Sequence, residues 1–79
     1  FPNPASQYVV IELTTDEPFS LVVDVLSFDG RILQREEKGV VSPERLNRFK
    51  FETNRLKPGV YLIRLDTGMR YITKRLIVR

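Results

Sequence analysis

Lys57-Pro58-Gly59-Val60-Tyr61-Leu62-Ile63-Arg64-Leu65 begins with a turn dipeptide and then alternates in character. Side chains along a strand point to opposite faces in turn, so Tyr61, Ile63 and Leu65 share one face, with Val60, Leu62 and Arg64 on the other. Pro58-Gly59 predicts a type II turn with Gly59 third, where positive φ is required. Asp66-Thr67-Gly68 reads as a tight turn, because Gly accepts the positive φ that hairpin loops need. The chain then returns as a second strand from Arg70 to Val78. This terminal hairpin is expected to be carried on a body formed by the residues before it.

Working outward, Leu46 to Thr53 alternates, with Phe49 and Phe51 inward and Arg48, Lys50 and Glu52 outward. Asn54 to Pro58 crosses to the hairpin, and Leu56 is placed to plug the end of the core. Gly39 to Arg45, with Pro43, reads as a loop. Arg31 to Lys38 is a polar strand expected at an edge, where charge discourages pairing between sheets. Asp29-Gly30 is a strong hairpin signal. Phe19 to Phe28 is β-branched and apolar on both faces, as in a central strand covered on both sides. Asp16-Glu17-Pro18 is a turn, and Gln7 to Thr14 alternates with Val9, Ile11 and Leu13 on one face. Phe1-Pro2-Asn3-Pro4-Ala5 has two prolines that hold a leading segment extended.

No window carries a sustained apolar pattern at helical period. Short strands at regular spacing with turn residues between them predict an all-β, antiparallel sandwich or barrel of about six to seven strands. Its expected core is Val9, Ile11, Leu13, Val23, Phe49, Phe51, Tyr61, Ile63 and Leu65. The last strand has two open readings. One parity gives Ile72, Lys74, Leu76 and Val78, the other Tyr71, Thr73, Arg75 and Ile77, and neither is purely apolar. Either a bulge shifts the parity near Lys74, or the lysine stem lies along the core and its ammonium reaches out.

With 79 residues the chain is one domain, 1–79, near the lower limit for folding without staples. It has no Cys, which removes disulfides and thiolate metal sites. It has no His either, hence neither the commonest general base nor the commonest transition-metal ligand. Nothing approaches the ~20 apolar residues of a membrane span. The chain starts with Phe1 and shows no signal-peptide pattern, so it reads as a piece of a longer protein, with Arg79 as that protein's end. The net charge of +3 hides an asymmetry: residues 1–44 carry −5 and residues 45–79 carry +8. Cross-strand pairing accounts for such a split in an antiparallel fold. The competing account is a basic surface, centred on the last hairpin, that meets an acidic partner.

Catalysis finds little support. The serines have no His to activate them. Asp16/Glu17 sit in a turn and are solvated, while Glu36/Glu37 are strand neighbours that point apart. Asp66-Thr67-Gly68 offers one carboxylate, too few for calcium, and Gly59 and Gly68 are not spaced to cradle phosphate. No cofactor is expected. Phe49, Phe51 and Tyr61 alternate with charges and belong to the core, which leaves Tyr71 and Tyr8 as stacking platforms, too few for nucleic acid.

Four blocks together carry a resemblance: Pro2-Asn3-Pro4, Val25 to Arg31 with its Asp29-Gly30 turn, Leu56 to Arg64, and Lys74 to Val78. In this order, across essentially the whole chain, they resemble the C-terminal sorting domain of the Bacteroidetes type IX secretion system. The resemblance implies an immunoglobulin-like sandwich at the end of an exported protein. It implies passage through the periplasm and recognition by outer-membrane translocon, shuttle and sortase proteins, with delivery to the cell surface or medium. No membrane insertion by the domain itself is implied. The family's Gly-Val-Tyr block falls on Gly59, Val60 and Tyr61, and its terminal lysine block on Lys74 and Arg75, followed by the final Arg79. Arg75 stands where a second lysine is frequent, which keeps the charge but not the geometry. Strand addition at a sheet edge would tolerate the sequence variation that such a signal allows. The alternative is an immunoglobulin-like or fibronectin-like accessory module, binding carbohydrate or acting as a spacer. The absence of Trp counts against a carbohydrate platform.

Overall fold

A computed structural model of the chain describes residues 8–79, so the predicted extended segment Phe1–Ala5 lies outside the described residues. Alternating apolar residues between turn signals form six strands: β1 (Tyr8–Leu13), β2 (Phe19–Leu26), β3 (Ile32–Val41), β4 (Asn47–Glu52), β5 (Gly59–Asp66) and β6 (Tyr71–Val78). β1 and β4 pair as one antiparallel sheet, and the other has the order β3-β2-β5-β6. The chain therefore changes sheet after β1, β3 and β4. This is the placement of strands B and E against C′, C, F and G in an immunoglobulin-type sandwich.

The core lies between the sheets. Val9, Ile11, Val23, Phe51, Ile63 and Leu65 are buried there as expected, joined by Leu21, Val25, Val41, Leu76 and Val78. Leu13, Phe49 and Tyr61, expected to be buried, are half-buried and pack on the rim. Leu13 ends β1, and both strands of the two-stranded sheet are edges, so Leu13 and Phe49 border solvent. Leu56 packs against the core end as read from the sequence.

Two turn assignments change. Gly39 does not begin a loop. β3 continues to the buried Val41, with Gly39 at φ 86° beside a register shift between Leu21/Val22. The extra residue of such a bulge is accommodated because Gly adopts positive φ freely. Gly59 is the first residue of β5, opposite Val78, with a near-extended φ of 159°. A type II turn needs about 80° at its third position, so that turn is not formed.

The parity of β6 is settled by its ladder, which runs without a shift from Gly59↔Val78 to Asp66↔Tyr71. There is no bulge. Ile72, Leu76 and Val78 face the core, and Lys74, opposite the buried Ile63, shares their side yet is exposed at the sheet's edge.

The up-and-down strands sort the connections into two poles along a 36 Å long axis. One, the loop pole, gathers residues 14–18, 42–46 and 67–70. The other, the turn pole, gathers the 27–31 turn, the 53–58 crossing, the start of β1 and Arg79. At the loop pole Asp16, Glu17 and Glu44 outweigh Arg45 and Arg70, a balance of −1. At the turn pole Arg31, Arg55, Lys57 and Arg79 outweigh Asp29, a balance of +3.

Candidate recognition surface

The terminal hairpin is built on β5, which pairs with β2 on one side and β6 on the other. Its register sets Gly59, Val60 and Tyr61 directly against Val78, Ile77 and Leu76. Two of the sequence blocks thus meet at the turn pole, and Arg79 follows immediately after β6. Lys74 and Arg75 lie further along, opposite Ile63 and Leu62. Strand alternation sends Lys74 to the core side and Arg75 to the outer side. They do not form one patch.

Tyr61 does more than fill space. Its hydroxyl donates to the Lys57 carbonyl at 2.5 Å, across the crossing from β4 to β5. A tyrosine at the start of strand F that bonds back to the preceding backbone is a known corner of immunoglobulin-type sandwiches. The bond keeps the phenol oxygen at the rim, which explains why the ring is half-buried. It also fixes where Gly59 and Val60 sit.

On the outer face the register aligns Arg35, Asp24 and Arg64 across three strands. Asp24 is fully buried and takes 2.7 Å and 3.2 Å bonds from Arg35, with 2.9 Å and 3.2 Å bonds from Arg64. The Arg35 guanidinium holds the Asp24 carboxyl below the usual carboxylate range, Arg64 adds to this, and burial opposes it. Asp24 in turn raises Arg35. The row ends with Arg64 4.3 Å from the centre of the Tyr71 ring, while Lys50 stands 4.6 Å from that of Tyr8. Both aromatics proposed as stacking platforms are therefore occupied by cations of the same chain. Sequence reading missed this row. Its signal is a lone acid within Val22-Val23-Asp24-Val25, a run otherwise apolar on both faces. A buried carboxylate demands partners.

The charge asymmetry of the sequence has two outcomes. Arg48 pairs with Glu12 at 2.7 Å across β4 and β1, and Asp24 absorbs two arginines, so cross-strand pairing is real. Of the other bases in residues 45–79, Arg55, Lys57 and Arg79 lie at the turn pole, Arg45 and Arg70 at the loop pole, and Lys74 and Arg75 along β6. Among the described residues no group of His, Cys, Asp and Glu could hold a metal, and no helix is long and apolar enough to cross a membrane.

These features define a class: a small antiparallel sandwich, with no assembled reactive centre among the described residues, that presents a rigid terminal hairpin. The chain belongs to the secretion system C-terminal sorting domain family, whose model matches residues 1–79. It is a non-catalytic sorting-signal domain of the Por, or type IX, secretion system, and such domains mark secreted and cell-surface proteins for that machinery. No match was found among curated proteins or among solved structures.

Proposed function

We propose that the export machinery docks on the turn pole through the start of β5 and the end of β6. Gly59, Val60 and Tyr61 supply its shape and Arg79 part of its charge, while Lys74 and Arg75 extend the basic surface along the two faces of β6. The observation that supports this reading is the β5–β6 register, which makes one surface of two separate sequence blocks. The pole's balance of +3 favours an acidic partner surface. On this reading residues 1–79 are the terminal domain of a longer exported protein. That protein crosses the periplasm and meets translocon, shuttle and sortase in turn at the outer membrane.

The test uses a reporter fused ahead of the domain in a type IX-competent cell, with surface display read by protease access on intact cells. Lys74→Glu and Arg75→Glu are made singly and together. Their charged ends reach opposite sides of β6, so each probes one face. Exposed substitutions of this kind change stability by about 0.5 kcal/mol or less. The expected result is a folded double variant whose reporter stays in the periplasm. If the folded double variant is displayed like the wild type, the basic terminal strand is not what the machinery reads.

A further inference from the structure

No described residue layers over the outer face of the four-stranded sheet. At its turn-pole end, Ile32, Leu26 and Leu62 stand side by side across three strands, with Val60 next on that face of β5. Leu26 is buried among its neighbours, but Ile32 and Val60 are 46% and 47% exposed. Beyond Leu26 the chain enters the β2–β3 turn, where Phe28 is 68% exposed. That turn is tightly bonded. Gly30 N–H donates to the Ser27 carbonyl at 2.9 Å, and Ser27 N–H to the Arg31 carbonyl at 2.8 Å. Arg31 N–H donates to Ser27 Oγ at 3.1 Å, and the Ser27 hydroxyl donates to Asp29. An aromatic ring held in water on a preorganised turn has little ordering to lose on binding. Rings of this kind dominate protein interfaces when a pocket receives them.

We propose that Phe28 and the strip formed by Ile32, Leu62 and Val60 dock a protein partner whose own surface is an apolar pocket with an acidic rim. The proposal rests on the sorting reading and adds which face the machinery engages. The acidic rim follows from Arg31, next to Ile32 in the chain, and Arg75, opposite Leu62 on the same face. A flat anionic bilayer fits less well: Glu37 and Asp66 flank Val22 on the same face, toward the loop pole, and would oppose it. A protein rim confined to the turn-pole end does not meet them.

The experiment compares surface display of the reporter fused to the wild-type chain, to Phe28→Ser and to Met69→Ser. Met69 is 94% exposed at the opposite pole and serves as the control. Phe28→Ser is expected to lower display about tenfold, equivalent to about 1.4 kcal/mol of docking energy, with its melting midpoint unchanged. Met69→Ser should match the wild type. Should Phe28→Ser melt early, Ile32→Thr carries the same expectation from a position outside the turn. Wild-type display by the folded Phe28 or Ile32 variant overturns the proposal and leaves the sorting reading intact. Failure of the wild-type chain itself to display the reporter overturns both. In parallel, the chain is sedimented with phosphatidylglycerol and phosphatidylcholine vesicles. Binding to the anionic vesicles that Phe28→Ser abolishes would make a bilayer the occupant and also overturn the proposal.

Discussion

At one edge of the four-stranded sheet β3 is broken by two register shifts, whereas at the other β6 keeps a single register from Tyr71 to Val78. Both strands carry polar residues on the core side, and the two sets behave differently. On β3, Gln34 donates to the Glu52 carbonyl at 3.2 Å and Lys38 to the Lys50 carbonyl at 2.6 Å. Glu36 joins them, 3.1 Å from the Gln34 amide and 2.8 Å from the Lys38 ammonium. The Lys38 ammonium also lies 5.7 Å from the centre of the Phe51 ring. These side chains close the seam between the sheets by satisfying carbonyls along β4. On β6, Lys74 lies exposed. One edge is finished as structure, the other as surface.

The contrast orders the expected effects. Phe51→Ala removes the largest fully buried side chain, under the Lys38 seam, and should cost roughly 3–5 kcal/mol. A chain this small has little more than that to lose. Denaturant titration checks it, and a loss below about 1 kcal/mol would mean that the seam does not hold the sheets together.

Asp24→Asn comes next, at roughly 1–3 kcal/mol. Arg35 is half in water and can be resolvated, which keeps the cost below that of a wholly buried pair. The pH dependence has a definite sign. Because the folded pKa is depressed, the stabilisation is fully present above the unfolded value of about 3.9 and disappears as pH falls through the folded one. Wild-type melting should therefore drop more steeply than that of Asp24→Asn below about pH 4. Parallel curves there would show that the outer-face row contributes nothing to acid stability.

The sharpest comparison places one substitution on both edges. Lys38→Met deletes a donor to the Lys50 carbonyl and should cost about 1 kcal/mol. Lys74→Met, also at a core-side position, should change stability by less than about 0.5 kcal/mol. Equal losses in paired melting curves would erase the distinction between the strands.

Much of this architecture is visible in the residue pattern. The Phe49/Phe51 parity, the central place of β2, the polar edge β3 and the Asp29-Gly30 turn all follow from alternation and turn chemistry, but β2 is covered by a second sheet on one face only, not on both as its apolar run suggests. What alternation cannot convey is which distant strands pair. Without the β2–β5 register nothing places Arg64 beside Asp24. Asn47 is a similar case. Its side chain accepts from Ser42 N–H at 2.9 Å and donates to the carbonyls of Ser42, Arg45 and Leu13, stitching the 42–46 loop to the end of β1. In the sequence it is only a polar residue before a strand. For the recognition surface, adjacency of the Gly59–Tyr61 block and the end of β6 follows from reading a hairpin. The tyrosine corner and the division of Lys74 from Arg75 needed the register and the hydroxyl's partner.

The two charged poles make the domain an electric dipole along its longest dimension. A partner bearing an acidic field exerts a torque on such a body before any atoms touch, and turns it basic end first. Screening sets the range of that torque. At physiological ionic strength the Debye length is about 8 Å, far shorter than the 36 Å between the ends, so the nearer pole alone feels the field. Orientation is then decided in the last few ångströms of approach. Added salt should slow capture without altering how long the captured domain stays bound.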